Sequence, residues 1–136
     1  MKMTIFDNRY VNERVLGPDI GISSIGLVQF NAAAVELLGL TDDKKVLLVQ
    51  DKDKLGDWYI MVTHGTYGIR IRKFKKSFIF QSKYITTTFL KSCGFESATY
   101  RMKISISPLN IDGVPYYLII TKSAHKSIYK KDGNTK

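Results

Sequence analysis

Twice in this chain an apolar run ends on a residue able to cap a helix, and twice a short helix follows that a glycine stops. The first instance is "LVQFNAAAVELLG", in which Asn31 precedes Ala32–Leu38 and Gly39 follows. The second is "SFIFQSKYITTTFLKSCG", in which Ser82 precedes the helical stretch and Gly94 ends it. Asn and Ser side chains accept hydrogen bonds from first-turn N–H groups. Glycine takes the left-handed conformation that ends a helix. Helices this short do not persist alone in water. Each must therefore be held by the strands on either side, which makes the chain a strand-dominated domain with two small helices.

The flanking segments repeat the same order. In the first half, "GISSIGLVQF" reads as strand, turn at Gly26 and strand, and after the helix "VLLVQ" and "WYIMVT" read as two more strands separated by the loop "DKDKLGD". In the second half "IRIRKF" is a strand, Lys75–Lys76 a turn and "SFIF" a strand. The helix follows, then the strand "TYRMKISIS", the loop "PLNIDGVP" with an Asp112–Gly113 turn signal, and the strand "YYLIITK". Phe30–Asn31 matches Gln81–Ser82, Leu38–Gly39–Leu40 matches Cys93–Gly94–Phe95, and Trp58–Tyr59–Ile60 matches Tyr116–Tyr117–Leu118. The offsets grow from about 51 to 58, as a second copy with a few added residues requires. The expected fold is mainly β, of the α+β kind. It is a small barrel-like domain of two strand-strand-helix-strand-strand repeats, about 20–63 and 69–121, related by a pseudo-two-fold axis.

A chain of 136 residues suits one domain, expected over 1–123. The sequence from 124 to 136 has several charges and little apolar content, and reads as a basic flexible tail. No apolar run reaches the roughly 20 residues of a spanning helix, and "MKMTIFDNRYVNERV" lacks a signal-peptide core. Cys93 is the only cysteine. With no internal disulfide to form, a reducing compartment, the cytoplasm, is the expectation, and no membrane association.

The net charge of +9 is concentrated. Residues 66–103 hold nine cations, Arg70, Arg72, Lys73, Lys75, Lys76, Lys83, Lys91, Arg101 and Lys103, against Glu96 alone. Residues 20–65 are net −2, and residues 104–121 carry only Asp112. Such asymmetry points to an anionic partner, although a face kept charged for solubility has the same composition. In "IRIRKF" the alternation puts Arg70 and Arg72 on one face and Ile69 and Ile71 toward the core. Two arginines ~7 Å apart match successive backbone phosphates. On the second helix Lys83, Thr87 and Lys91 form one stripe, and Arg101 and Lys103 share a phase opposite Met102 and Ile104. These segments are expected to form one basic patch. Tyr67, flanked by Gly68, is the aromatic best placed to stack on a base, whereas Phe78 and Phe80 belong to the core.

Catalysis finds no support in the residues. His64 and His125 are the only histidines, no metal-binding spacing occurs, and "DKDKLGD" fails as a calcium loop because Leu55 and Val62 stand where ligands are needed. No cofactor is expected. Cys93, at a helix C-terminus that disfavours a thiolate, reads as packing. Trp58 beside Asp57 reads as a strand anchor, with an interaction face on the acidic half as the other reading.

The stretch "GLVQFNAAAVELLGLTDDKKVLLV" resembles the core of AbrB-type swapped-hairpin regulators, and a degenerate second copy lies in "SFIFQSKYITTTFLKSCGFESATYRMKIS". The resemblance implies two interlocking units in one chain, similar to a double-psi barrel. It also implies DNA binding through basic residues near the first strand and its turns, in the manner of a transcription regulator. Leu27 and Asn31 stand where that family has a basic residue and a proline, so the first copy lacks the usual DNA-contacting arginine. Lys73, Lys75 and Lys76 supply cations in the equivalent region of the second. The combined expectation is a non-enzymatic nucleic-acid-binding protein, with DNA favoured as partner and strand edges available for a homodimer. The alternative is a non-catalytic protein-interaction module, antitoxin-like or an adaptor.

Overall fold

The computed structural model describes residues 17–126. Along the chain these form β1 (Asp19–Ser23), β2 (Leu27–Phe30), α1 (Ala32–Leu38), β3 (Lys45–Gln50), β4 (Trp58–Thr63), β5 (Ile69–Arg70) and β6 (Arg72–Phe74). Then follow β7 (Ser77–Gln81), α2 (Lys83–Ser92), β8 (Thr99–Ile104), β9 (Leu109–Ile111) and β10 (Val114–Lys126). The fold is mainly β, as the alternation predicts. All ten strands belong to one sheet, in the order β5-β3-β4-β10-β8-β1-β2-β7-β6, with β9 paired to β10 off that path. Every pairing is antiparallel.

The two ends of this path are consecutive in sequence. β5 pairs with β3 and β6 pairs with β7, and Ile71 alone separates them. The sheet therefore curls into a nearly closed barrel whose seam is one residue wide. The expected single strand "IRIRKF" is corrected to two short strands. A chain crossing the seam must leave one neighbour before it meets the other, so pairing breaks at the crossing. Ile71 is 7% exposed and belongs to the core cluster. Burial of this side chain holds the crossing in place.

The helix caps tie the helices to the barrel. Asn31 Oδ1 accepts from Ala34 N at 2.9 Å and from Asp19 N at 3.1 Å, and Asn31 Nδ2 donates to Gly17 O at 2.9 Å. One side chain thus starts α1 and fixes the entry of β1. Ser82 Oγ accepts from Ile85 N at 3.3 Å, and the Ser82 N–H donates to Gly26 O at 2.8 Å, which links the start of α2 to the β1–β2 turn. The core comes from alternate strand positions, among them Ile20, Ile22, Val28, Phe30, Ile60 and Met102, each at most 1% exposed. α2 adds Phe89, fully buried, whose ring centroid lies 5.1 Å from that of Trp58. Trp58 Nε1 donates to Ser92 Oγ at 2.8 Å. Trp58 is a strand anchor, 5% exposed, and not part of an outward face.

Two further expectations are corrected. "PLNIDGVP" is not a plain loop: β9 and β10 form a hairpin in which Ile111 faces Val114 and Leu109 faces Tyr116. Asp112 and Gly113 both have positive φ, 54° and 79°, as a tight two-residue hairpin turn needs. Ala124–Lys126, expected in the tail, continue β10. His125 faces Arg101 and Lys126 faces Tyr100, after a register shift between Ile120 and His125. At the shift, Ser123 Oγ accepts from Lys103 N at 2.8 Å and donates to Ile120 O at 2.6 Å. Side-chain bonding there replaces ladder bonds, so the strand carries no apolar signature. Residues 127–136 of the expected tail lie outside the described residues.

Gly68 tests the closure. Its φ is +110°, and a Cβ there would lie 2.8 Å from Lys45 Cβ and 3.0 Å from Thr63 Cγ2. Gly68→Ala should cost about 2–4 kcal/mol through strain and overpacking together. Gly113→Ala, with positive φ but nothing within 4 Å, should cost only about 1–2 kcal/mol. Urea unfolding of both variants checks the difference, and equal losses would mean that the chain does not crowd β3 and β4 at Gly68.

Candidate nucleic-acid interface

Of the nine cations in residues 66–103, eight are exposed: Arg70, Arg72, Lys73, Lys75, Lys76, Lys83, Lys91 and Lys103. Among the described residues none of these eight has a carboxylate within ion-pair distance. The ninth, Arg101, is committed. Its guanidinium pairs with Asp19, which is 9% exposed, through Nη2 to Oδ1 and through Nε to Oδ2 at 3.3 Å. It also lies close against Gly21, where a Cβ would come within 2.8 Å of Nη1. A glycine at 21 makes room for the arginine, and the arginine neutralises a buried acid. This is a structural ion pair.

The barrel separates the expected single patch into parts. Arg101, Gly21, Gln29, Ile79 and Arg72 lie in one cross-strand row over β8, β1, β2, β7 and β6. Four strand spacings separate its two arginines by roughly 19 Å measured along the curved sheet. Lys103 lies beside Arg101 on β8, facing Asp19 across the ladder. Arg70 sits across the seam on β5, facing Lys45.

The remaining lysines flank two grooves. In the first, Lys73, Lys75 and Lys76 of the β6–β7 hairpin face Ala32 and Val35 of α1 and the following residues Leu40, Thr41 and Asp42. Lys75 has φ 58°, so the hairpin turn that the sequence places at Lys75–Lys76 is present, and its ammonium lies 5.7 Å from the Phe74 ring centroid. Near this groove a hydrogen bond from the Thr41 hydroxyl holds the Asp43 carboxyl below its usual pKa. In the second groove, Lys83, Thr87 and Lys91 of α2 face Ser24 and Ile25 of the β1–β2 turn, and Phe95, Glu96 and Ser97. The stripe read from helical spacing is therefore real and solvent-facing. Glu96 itself is paired with Lys126. The two grooves lie at opposite ends of the β2–β7 pair, because α1 follows the end where Phe30 faces Phe78 and α2 follows the end where Leu27 faces Gln81.

Tyr67 is 79% exposed, in line with its glycine-flanked position. Tyr84, an aromatic lying among the charges in the sequence, is 81% exposed and shares a second face of α2 with Lys83, Thr88 and Lys91. The signal was present: 84, 88 and 91 fall at i, i+4 and i+7, away from the buried Thr86, Phe89 and Leu90. Phe78 and Phe80 are core, as expected. Burial pushes the Cys93 thiol above its usual pKa, against a weak hydrogen-bonding contact with Ser92, so at neutral pH it is a protonated packing group. Among the described residues no group of three or more His, Cys, Asp or Glu side chains is placed to hold a metal ion. No described helix is long and apolar enough to cross a membrane.

Comparison with known proteins adds no relative. No family model, no curated protein and no solved structure matches this chain. Whatever the surface does must be argued from its own chemistry. Among the described residues that surface offers exposed cations at several levels of the barrel and two exposed tyrosines, Tyr67 and Tyr84.

The ion pair has a measurable consequence. Asp19→Ala leaves the Arg101 guanidinium partly buried without its counter-charge, and should cost about 1–3 kcal/mol in chemical unfolding. Lys103→Ala, directly opposite Asp19 in the ladder but exposed, should change stability by less than about 0.5 kcal/mol. Equal effects would mean that Arg101 is as solvated as its neighbour.

Proposed function

We propose that this protein binds nucleic acid, with DNA favoured, through exposed cations of its second half, and acts without catalysis as a regulator. The observation that carries the reading is that eight of nine cations in a 38-residue stretch (66–103) are held outward and lack acidic partners among the described residues. Neutralising such charges by nearby carboxylates is the ordinary way to keep a surface from binding anions, and it is missing among the described residues. Arg70, Arg72, Lys73, Lys75, Lys76, Lys83, Lys91 and Lys103 are the proposed phosphate contacts. Tyr67 and Tyr84 are the proposed stacking groups for unpaired bases. Arg101 is assigned to positioning β1 against β8.

The reading includes an internal pseudo-two-fold. Let β5–β6 stand for β1, β7 for β2, α2 for α1, β8 for β3 and β10 for β4, and the reverse. Every pairing within that set then maps onto another: β1–β2 onto β6–β7, β1–β8 onto β5–β3, and β3–β4 onto β8–β10. The β2–β7 and β4–β10 pairs map onto themselves. Asn31 then corresponds to Ser82 and the first groove to the second. This symmetry supports the AbrB-like, swapped-hairpin reading of the chain. In that reading the second unit kept its cations and the first exchanged them for Ser24, Ile25 and Leu27.

Titration of labelled duplex and single-stranded DNA at several salt concentrations tests the function. If about four to six phosphates are neutralised, log K should fall with log salt at a slope of roughly −4 to −5. Arg70→Gln with Arg72→Gln should weaken binding to all sequences alike and make the slope shallower, with little loss of stability. Tyr84→Ala should weaken the single strand more than the duplex. Absence of binding at low salt would reject the reading and leave the interaction module.

A further inference from the structure

Three of the eight large hydrophobic side chains exposed among the described residues fall within six positions: Ile106 at 69%, Leu109 at 51% and Ile111 at 47%. Leu109 and Ile111 belong to the β9–β10 arm, the one part of the sheet outside the circular path, and Ile106 lies in the connection that leads into it. On one face of the arm, Leu109, Ile111 and Tyr116 line a groove with Val49 and Tyr59, and Asp51 is its only charged member. We propose that β9 is the contact edge for a second copy of this chain, paired antiparallel about a two-fold axis at Asn110.

Backbone geometry selects that edge. Pro115 faces Asn110 and has no N–H to give, so this pair cannot exchange hydrogen bonds within the hairpin. Bonded and non-bonded pairs alternate along an antiparallel ladder. The flanking pairs, Val114 with Ile111 and Tyr116 with Leu109, are therefore the bonded ones. The N–H and C=O of Asn110 consequently point to the outer edge of β9, which pairs with no other described strand. A two-fold axis at Asn110 pairs both groups with the same groups of the copy. Leu109 then lies opposite Ile111 of the copy in the closely spaced, non-bonded positions. The outer edge of β10 in the arm is blunted, because Pro115 offers no donor there.

Charge selects the occupant. The chain carries +9, yet residues 104–121 hold no lysine or arginine and only Asp112. Two copies meet here with less repulsion than on the surface built by residues 66–103. β4 and β10 lie across the barrel from β2 and β7 in the strand order, so the grooves stay free on the far side. Within β9 itself no lysine or proline guards the strand, and Pro108 limits the edge only at its start.

Sedimentation equilibrium without nucleic acid, over a wide dilution series, is the test, and it does not depend on the proposed function. The wild type should populate a dimer as concentration rises. Ile111→Lys, which sets a charge of the chain's own sign into the contact, should raise the dimer dissociation constant at least about tenfold. Asn110→Pro, which removes the outward donor, should do the same, and Tyr84→Ala should not. Far-UV circular dichroism and thermal unfolding are expected to match wild type for the exposed Ile111→Lys. A monomer throughout would overturn the proposal and assign the arm to a different partner. A dimer untouched by both arm variants, or dissolved by Tyr84→Ala, would place the self-contact elsewhere and also overturn it.

Discussion

Burial of Ile71 is the contact on which the rest of the structure depends. It is the single residue between β5, which belongs to one edge of the sheet, and β6, which belongs to the other. Because its side chain enters the core, the backbone on either side is held against β3 and β7, and the sheet has no long open edge around its circumference. Open edges are the main hazard of a small β protein. Here the hazard is removed by a crossing, at a modest energetic level: a buried isoleucine is worth about 1.5–3 kcal/mol relative to exposure. The glycine just before β5 follows from the same demand, since Gly68 passes over Lys45 and Thr63 too closely for a side chain.

The seam also orders the surface. With Ile71 inward, Arg70 and Arg72 are forced outward, one on each side of the crossing. The next turn, at Lys75–Lys76, carries the run of cations over to α1, and Ser82 begins a helix whose outer stripe is Lys83, Thr87 and Lys91. The charge asymmetry and the closure of the barrel are therefore one feature, since the segment that completes the sheet brings the cations with it. Arg101 shows the other use of a cation in the same segment. Asp19 is covered, and without a partner it would carry an uncompensated charge in low dielectric. The proposed nucleic-acid role rests on the outward cations and leaves Arg101 out. The proposed dimer uses the arm, where the chain is least basic.

Much of this was legible in the residues. Asn31, Gly39, Ser82 and Gly94 mark both helices because capping is local chemistry, and the strands around them follow from alternation. The turn at Lys75–Lys76 and the Asp112–Gly113 turn were legible for the same reason. Long-range pairing left little local trace. Nothing in "IRIRKF" names different partners for its two halves; the one local trace is that the apolar phase slips after Ile71, with Lys73 where the next inward residue is due and Phe74 one place on. β9 is three residues long and reads as loop. The end of β10 is held by Ser123 and by pairing to β8, which a tail-like composition hides. Eight of the nine cations lie outward and Arg101 does not, and their grouping depended on the strand order. The commitment of Arg101 to Asp19 joins residues 82 positions apart and could not be read from either neighbourhood.

The closure itself is open to direct measurement. In a solution NMR study of the monomer, cross-strand contacts between Val46 and Ile69, between Arg72 and Ile79, and between Lys73 and Phe78 report on the two sides of the seam separately. The account predicts that all three appear together and within one molecule, with Ile71 methyl contacts to core side chains. Contacts on one side only, or an Ile71 side chain that meets nothing but solvent, would contradict it. The barrel would then be an open sheet with a free edge.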